Sequence, residues 1–177
     1  MYPLGQTRGG NGYLEVMVIM TRLLLPFTHG IEVSAISAAL ALAQHFGATL
    51  VVLSLIRLPE ASDRGPRWED IQQSNDFLVF VHHTAARWSV PIERVELYTR
   101  HPVGSIRALA QEMACAGIVL VVRRGAGVLL ATNEVKQLLE EQSIPLYIVS
   151  LPARDSTFSL PRWLSRWLRS ISPIPRF

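Results

Sequence analysis

Residues 117–139 read GIVLVVRRGAGVLLATNEVKQLL. An apolar run ends in Arg123 and Arg124, Gly125 and Gly127 follow, and a helical pattern opens at Thr132 and Asn133. These residue types in this order can hold an anion. Arginine brings a fixed charge and a planar fork of donors. Glycine lets backbone N–H groups approach an oxygen with no Cβ in the way. A helix N-terminus favours negative charge, and Thr132 or Asn133 can cap it. The same residues also make a plain turn, with solvated arginines, turn-forming glycines and an ordinary helix start. Two readings therefore stand side by side: a site for phosphate or a small nucleotide, and a connection with no ligand.

The other chemistry-bearing residues point to no reaction. His82 and His83 are adjacent in a helical stretch, about 100° apart around its axis, so the pair reads as structural and not as a metal grip. His29 and His101 each follow a strand, but two histidines without a carboxylate or thiolate beside them make no metal centre. Ser34, Ser37, Ser54 and Ser105 lie outside any nucleophile elbow. Glu140 and Glu141 read as a solvated helix face. Cys115 is the one cysteine in the chain, which excludes an internal disulfide and a thiolate cluster and suggests a buried residue in a reducing compartment. We expect no enzyme, no metal and no resident cofactor.

The segment LPRWLSRWLRSI, residues 160–171, carries a different signal. Trp163, Leu164, Trp167, Leu168 and Ile171 fall on one helical face, and Arg162, Arg166 and Arg169 lie mostly off it. Pro161 suits a helix start, and Pro173 and Pro175 suit its end. Such a helix can cover the helix layer of its own subunit or a dimer mate, dock on another protein, or rest on an anionic membrane.

The elements that position these residues alternate regularly. RLLLPF (22–27), TLVVLSLI (49–56), IERVELYTR (92–100), GIVLVV (117–122) and PLYIVSL (145–151) read as strands. The second is apolar throughout, as a strand covered on both faces would be, whereas the third alternates like an edge strand. Helices are predicted over 31–46, 67–88, 103–114 and 133–142. Their apolar faces carry Ile36, Leu40 and Ala43; Ile71, Leu78, Val81 and Ala85; and Ile106, Leu109, Ala110 and Met113. Gly47 is placed to end the first helix. This order predicts an α/β fold, a five-stranded parallel open sheet with helices on both faces joined by right-handed crossovers. Ligands of such sheets sit where strand order reverses, beyond the carboxyl ends of the strands. That rule selects the segments after Phe27 and after Val122.

We divide the chain into an N-terminal arm (1–19, glycine-rich, with Met17 and Met20 as alternative starts), a domain (20–152) and a basic tail (153–177). Of 177 residues, 49% are hydrophobic and 18% charged, the balance of a globular chain. The formal net charge is +3, yet residues 151–177 alone hold five arginines against one aspartate. The basic excess belongs to the tail, which argues against nucleic-acid binding by the domain. No apolar run reaches the length of a membrane span and no secretory pattern opens the chain, so a cytoplasmic location is expected.

Over residues 21–151 the sequence resembles the universal stress proteins. The resemblance rests on LLLPFTHG, SAISAALALAQHFGATLVVLSLI, HPVGSIRALA, GIVLVVRRG and QLLEEQSIPLYIVS, in that order and spacing. It implies strand order 3-2-1-4-5 and a homodimer joined through the last strand. Some members bind ATP, with an aspartate just after the first strand and a glycine loop after the fourth. Here Thr28 stands at the aspartate position. The loop's first glycine falls on Val122, its second on Gly125 and its final pair on Thr132-Asn133, with about three residues missing between. On this resemblance the candidate nucleotide contacts are Pro26, Thr28, Leu55 and Val121, joined to Arg123, Arg124, Gly125, Gly127, Thr132 and Asn133. Val122 cannot admit an oxygen as glycine does, and a shorter loop gathers fewer N–H donors. ATP binding in the family manner is expected to be lost, with AMP or phosphate the remaining possibility.

Overall fold

The computed structural model describes residues 21–59, 65–141 and 143–153. The N-terminal arm and the tail contacts Trp163, Leu164, Trp167, Leu168, Arg162, Arg166 and Arg169 lie outside the described residues. The chain runs β1 (Arg22–Phe27), α1 (Val33–His45), β2 (Thr49–Arg57), α2 (Trp68–Trp88), β3 (Ile92–Thr99), α3 (Pro102–Glu112), β4 (Gly117–Arg123), β5 (Ala126–Gly127), α4 (Thr132–Glu140) and β6 (Leu146–Leu151). The five long strands pair in parallel in the order β3-β2-β1-β4-β6. This is the expected order. The sixth strand, β5, is a two-residue ribbon antiparallel to β4 inside what reads from sequence as a loop.

Every crossover between parallel strands returns through a helix, and the two faces are filled separately. α1 and α2 cover Leu23, Leu25, Phe27, Leu50 and Val52. α3 and α4 cover Leu24, Val51, Leu53, Leu55, Ile118 and Leu120. β2 is buried from Thr49 to Ile56, which accounts for its uniform apolarity. β3 alternates half-buried and exposed residues at the sheet edge. α1 stops at His45, and Gly47 takes φ +58° just beyond it.

The buried stripe of α2 differs from expectation. It is Ser74, Phe77, Val81 and Ala85, with Ile71 and Leu78 only half-buried. Phe77 turns inward to stack on Phe27, ring centroids 3.9 Å apart and planes 7° from parallel. Ser74 is tolerated because its hydroxyl donates to Glu96 at 2.6 Å.

Candidate functional site

β1 and β4 pair only at Leu23–Gly117 and Leu24–Ile118, then part. Pro26, which has no N–H to donate, sits in the part of β1 beyond this contact, where the ladder to β4 no longer asks for one. This parting is the point of strand reversal, where an open sheet leaves room for a ligand.

In this chain the room is taken by the segment after the hairpin. The N–H of Thr28 donates to the Leu129 carbonyl at 2.9 Å, and the N–H of Val128 to the Val121 carbonyl at 3.0 Å. Leu129 is buried with the α1–α2 face and Leu130 with the α3–α4 face. Two consecutive leucines thus enter the cores on opposite sides of the sheet at the gap between β1 and β4.

The glycine-rich stretch itself is a hairpin. Arg123 pairs with Ala126 and Val122 with Gly127, leaving Arg124 and Gly125 as a two-residue turn. Both have positive φ, +50° and +79°, as a type I′ turn requires. Its twist matches that of the paired strands, so these residues build a reverse turn.

Arg123 is committed elsewhere. Its Nε donates to the Pro152 carbonyl at 3.0 Å and its Nη1 to Glu32 Oε2 at 2.8 Å, while Nη2 meets the other Glu32 oxygen. Donating these hydrogen bonds to the Glu32 carboxylate holds the Arg123 guanidinium above its ordinary pKa. A fork–fork pair of this kind is both directional and strong. It ties the end of β4 to the start of α1 and to the chain leaving β6.

The anion position at the head of α4 is filled as well. Ala131 precedes the helix and offers no side-chain acceptor, so neither Thr132 nor Asn133 is the cap residue. Glu134, three residues on, accepts the Ala131 N–H at Oε2, 2.8 Å away. The same oxygen accepts the Thr28 hydroxyl at 2.8 Å, and Oε1 accepts Arg57 Nη2 at 2.5 Å. Glu134 is only 3% exposed. A hydroxyl has a single hydrogen, and Thr28 gives its own to Glu134. The 3.2 Å contact between Thr28 Oγ1 and His29 Nδ1 therefore has the histidine as donor. Thr132 Oγ1 accepts the Gly127 N–H at a long 3.4 Å, and Asn133 is exposed.

The structure thus brings together Thr28, Thr132, Gly127 and the head of α4, but around the chain's own carboxylate. Leu55 and Val121 are buried on opposite faces of the sheet and do not share a pocket wall. Glu134 and Arg57 carry the site and were missed in the sequence. The available signal was periodicity: Glu134 falls four residues before Leu138 on the helix's apolar face, where a lone carboxylate needs a partner. A second missed signal was VLL at 128–130, three apolar residues inside a presumed anion loop.

Beside Glu134 lies an open cavity of about 720 Å³ at the carboxyl ends of β2 and β3. Arg57, Arg100, His101 and Arg107 line it, with Gly104 of α3 and Gln137 of α4. Arg107 donates to the Gln137 carbonyl at 2.9 Å and pairs with Glu141, while its Nε is buried without an acceptor. No group of three metal-ligating side chains occurs among the described residues. His82 and His83 are both exposed, their ring centroids 5.8 Å apart. No helix among the described residues is long and apolar enough to cross a membrane.

No protein-family model matches the sequence, and no curated protein matches it. Solved structures do match the fold. A protein of the universal stress protein family from Burkholderia pseudomallei aligns at TM-score 0.58 and 16% identity, covering 73% of this chain and 95% of that one. A universal stress protein from Archaeoglobus fulgidus aligns at TM-score 0.58 and 16% identity, over 73% and 93%. An Archaeoglobus fulgidus universal stress protein in complex with dAMP aligns at TM-score 0.56 and 17% identity, over 75% and 98%. The chain has the universal stress protein fold.

Proposed function

We propose that this chain is a non-catalytic domain of the universal stress type, acting in stress response or signalling through protein contacts. In this reading it is a cytoplasmic homodimer and takes no nucleotide at the strand-reversal point. The supporting observation is Glu134: a buried carboxylate, satisfied by Thr28, Ala131 and Arg57, stands where an incoming phosphate would seek the head of α4. A ligand anion would have to displace it and then face its charge. Dimerisation through β6 is supported by that strand's position. Among the described residues it pairs with β4 only, and Ile148 is 55% exposed beside a groove of about 390 Å³ lined by Leu139, Ile144, Pro145 and Leu146. Calorimetry with ATP, ADP, AMP and cyclic nucleotides tests the reading. No saturable heat is expected. Micromolar binding that disappears in Arg124→Ala overturns it.

A second reading, a nucleotide or phosphate sensor, is favoured by the cavity beside Arg57 and by dAMP in the Archaeoglobus fulgidus relative of the same fold. Its signature is binding that depends on Arg57 and Arg107. A third, a membrane-peripheral adaptor working through the tail, predicts flotation of the full chain with anionic vesicles.

A further inference from the structure

α1 and α2 pack side by side on one face of the sheet. Both return from the carboxyl to the amino ends of parallel strands, so they run the same way. Between them lies a largely apolar groove of about 520 Å³. Val33 and Asp76 stand at its upper part, Val79 and Phe80 in its middle, and Trp88 at its lower end, where Gln44 of α1 donates to the Trp88 carbonyl at 2.8 Å. Val33 is 58% and Val79 43% exposed, apolar side chains set in water on a helix layer.

We propose that residues 160–171 of this same chain seat in this groove as an amphipathic helix. The point at which the tail departs from β6 favours this occupant. The Pro152 carbonyl is held by Arg123, and Arg123 is held by Glu32, the residue directly before Val33. The chain therefore leaves β6 one guanidinium away from the groove's upper mouth. From there residues 154–159 reach at most roughly 20 Å, enough to turn onto the helix layer and too short to wander far from it. A helix over residues 160–171 is about 18 Å long, and the α2 wall from Asp76 to Trp88 spans about the same rise. Trp163, Leu164, Trp167, Leu168 and Ile171 supply an apolar face that would cover the groove, and Arg162, on the first turn, falls nearer to Asp76 at the upper part than to His83 and Arg87 lower down. Tethering makes the docking intramolecular, at an effective concentration on the order of millimolar.

The test uses the full chain with Val79 replaced by the photoreactive p-benzoylphenylalanine. Irradiation is expected to give a product of single-chain mass whose cross-links map to residues 160–171. The same probe at Tyr98, exposed on β3, is expected to give none to that segment. A product of two-chain mass places the tail of another copy in the groove, and cross-links elsewhere or none leave the groove to another occupant; each of these overturns the proposal. Limited trypsin digestion is the second readout. Cleavage after Arg162, Arg166 and Arg169 is expected to be at least tenfold faster in Val79→Arg than in the parent chain. Val79 is half in solvent, so the arginine leaves the core intact, and circular dichroism checks this. Equal cleavage rates overturn the proposal.

Discussion

The hydroxyl of Thr28 donates to Glu134 Oε2 at 2.8 Å, joining the first residue beyond β1 to the first turn of α4. These two residues lie on the two sides of the strand-reversal point. Their bond crosses the gap that opens after β1 and β4 separate, and Arg57 closes the same carboxylate from β2. Glu134→Gln keeps the size and one acceptor but removes the charge. It should destabilise the fold by about 1.5–3 kcal/mol, the range for hydrogen bonds to a charged group. Arg57 is half exposed, so its lost partner adds little beyond this. Thr28→Val should cost about 1 kcal/mol, and the double variant less than the sum. Urea midpoints of the four proteins check this; strict additivity would show that the two residues do not meet.

Removing the carboxylate altogether should expose the anion position it fills. In Glu134→Ala the head of α4, the Thr28 hydroxyl and Arg57 face an unfilled space. Inorganic phosphate or pyrophosphate should bind there weakly, with a dissociation constant on the order of millimolar. Adding Arg57→Ala should abolish it. Phosphorus NMR line broadening reads the binding, and an unchanged spectrum in Glu134→Ala counts against an internal anion as the closing device.

Gly127 and Gly125 should part company when changed to alanine. A Cβ on Gly127 would lie 2.2 Å from the Leu130 carbonyl oxygen, a backbone atom at the root of the two-leucine insertion. Gly127→Ala must therefore push that segment out, at about 2 kcal/mol or more. A Cβ on Gly125 meets nothing within 4 Å, and only its φ of +79° opposes alanine. Gly125→Ala should cost about 1 kcal/mol. Thermal unfolding of both variants distinguishes a packed hairpin from a loop held open for a ligand, which would tolerate the two equally.

Much of the fold was legible because it is written in local periodicity. The uniform run of β2, the alternation of β3 and the apolar stripe of α1 each follow from which faces are covered. The site was less legible. RRGAG reads equally as phosphate cradle and as type I′ turn, because both need backbone at positive φ. What separates them is a partner far away: Glu32 claims Arg123 across 91 residues of chain. No local pattern carries such a pair. The α2 stripe failed for a related reason, since Phe77 is drawn inward by Phe27 on a strand that helical spacing alone does not see.

Burial pushes the Cys115 thiol above its ordinary pKa; nearby Arg22 opposes the shift and Glu93 adds to it. Less thiolate means slower chemistry, so iodoacetamide should label Cys115 more slowly in the native chain than in urea at the same pH. The stability sign follows from linkage. A group whose folded pKa is raised contributes fully below its unfolded pKa, about 8.5 for cysteine, and loses that contribution as pH rises through the folded value. The stability advantage of the parent chain over Cys115→Ala should therefore shrink on going from neutral to alkaline pH. An advantage that grows with pH would mean the thiolate is the favoured form.

Ile148 lies on β6 with most of its side chain in solvent, beside the apolar groove formed with Leu139 and Ile144. An edge strand with an apolar outward residue invites pairing with a copy of itself, and lysine at such a position is a common guard against it. Ile148→Lys should leave the unfolding midpoint of the isolated subunit within about 0.5 kcal/mol of the parent, as an exposed substitution does. It should also convert a dimer to a monomer in sedimentation equilibrium, because two lysines then face each other across a two-fold axis. Tyr98→Lys, equally exposed on the opposite edge at β3, should leave the mass unchanged. A parent chain that sediments as a monomer, or a dimer lost in Tyr98→Lys and kept in Ile148→Lys, would remove β6 as the dimer edge.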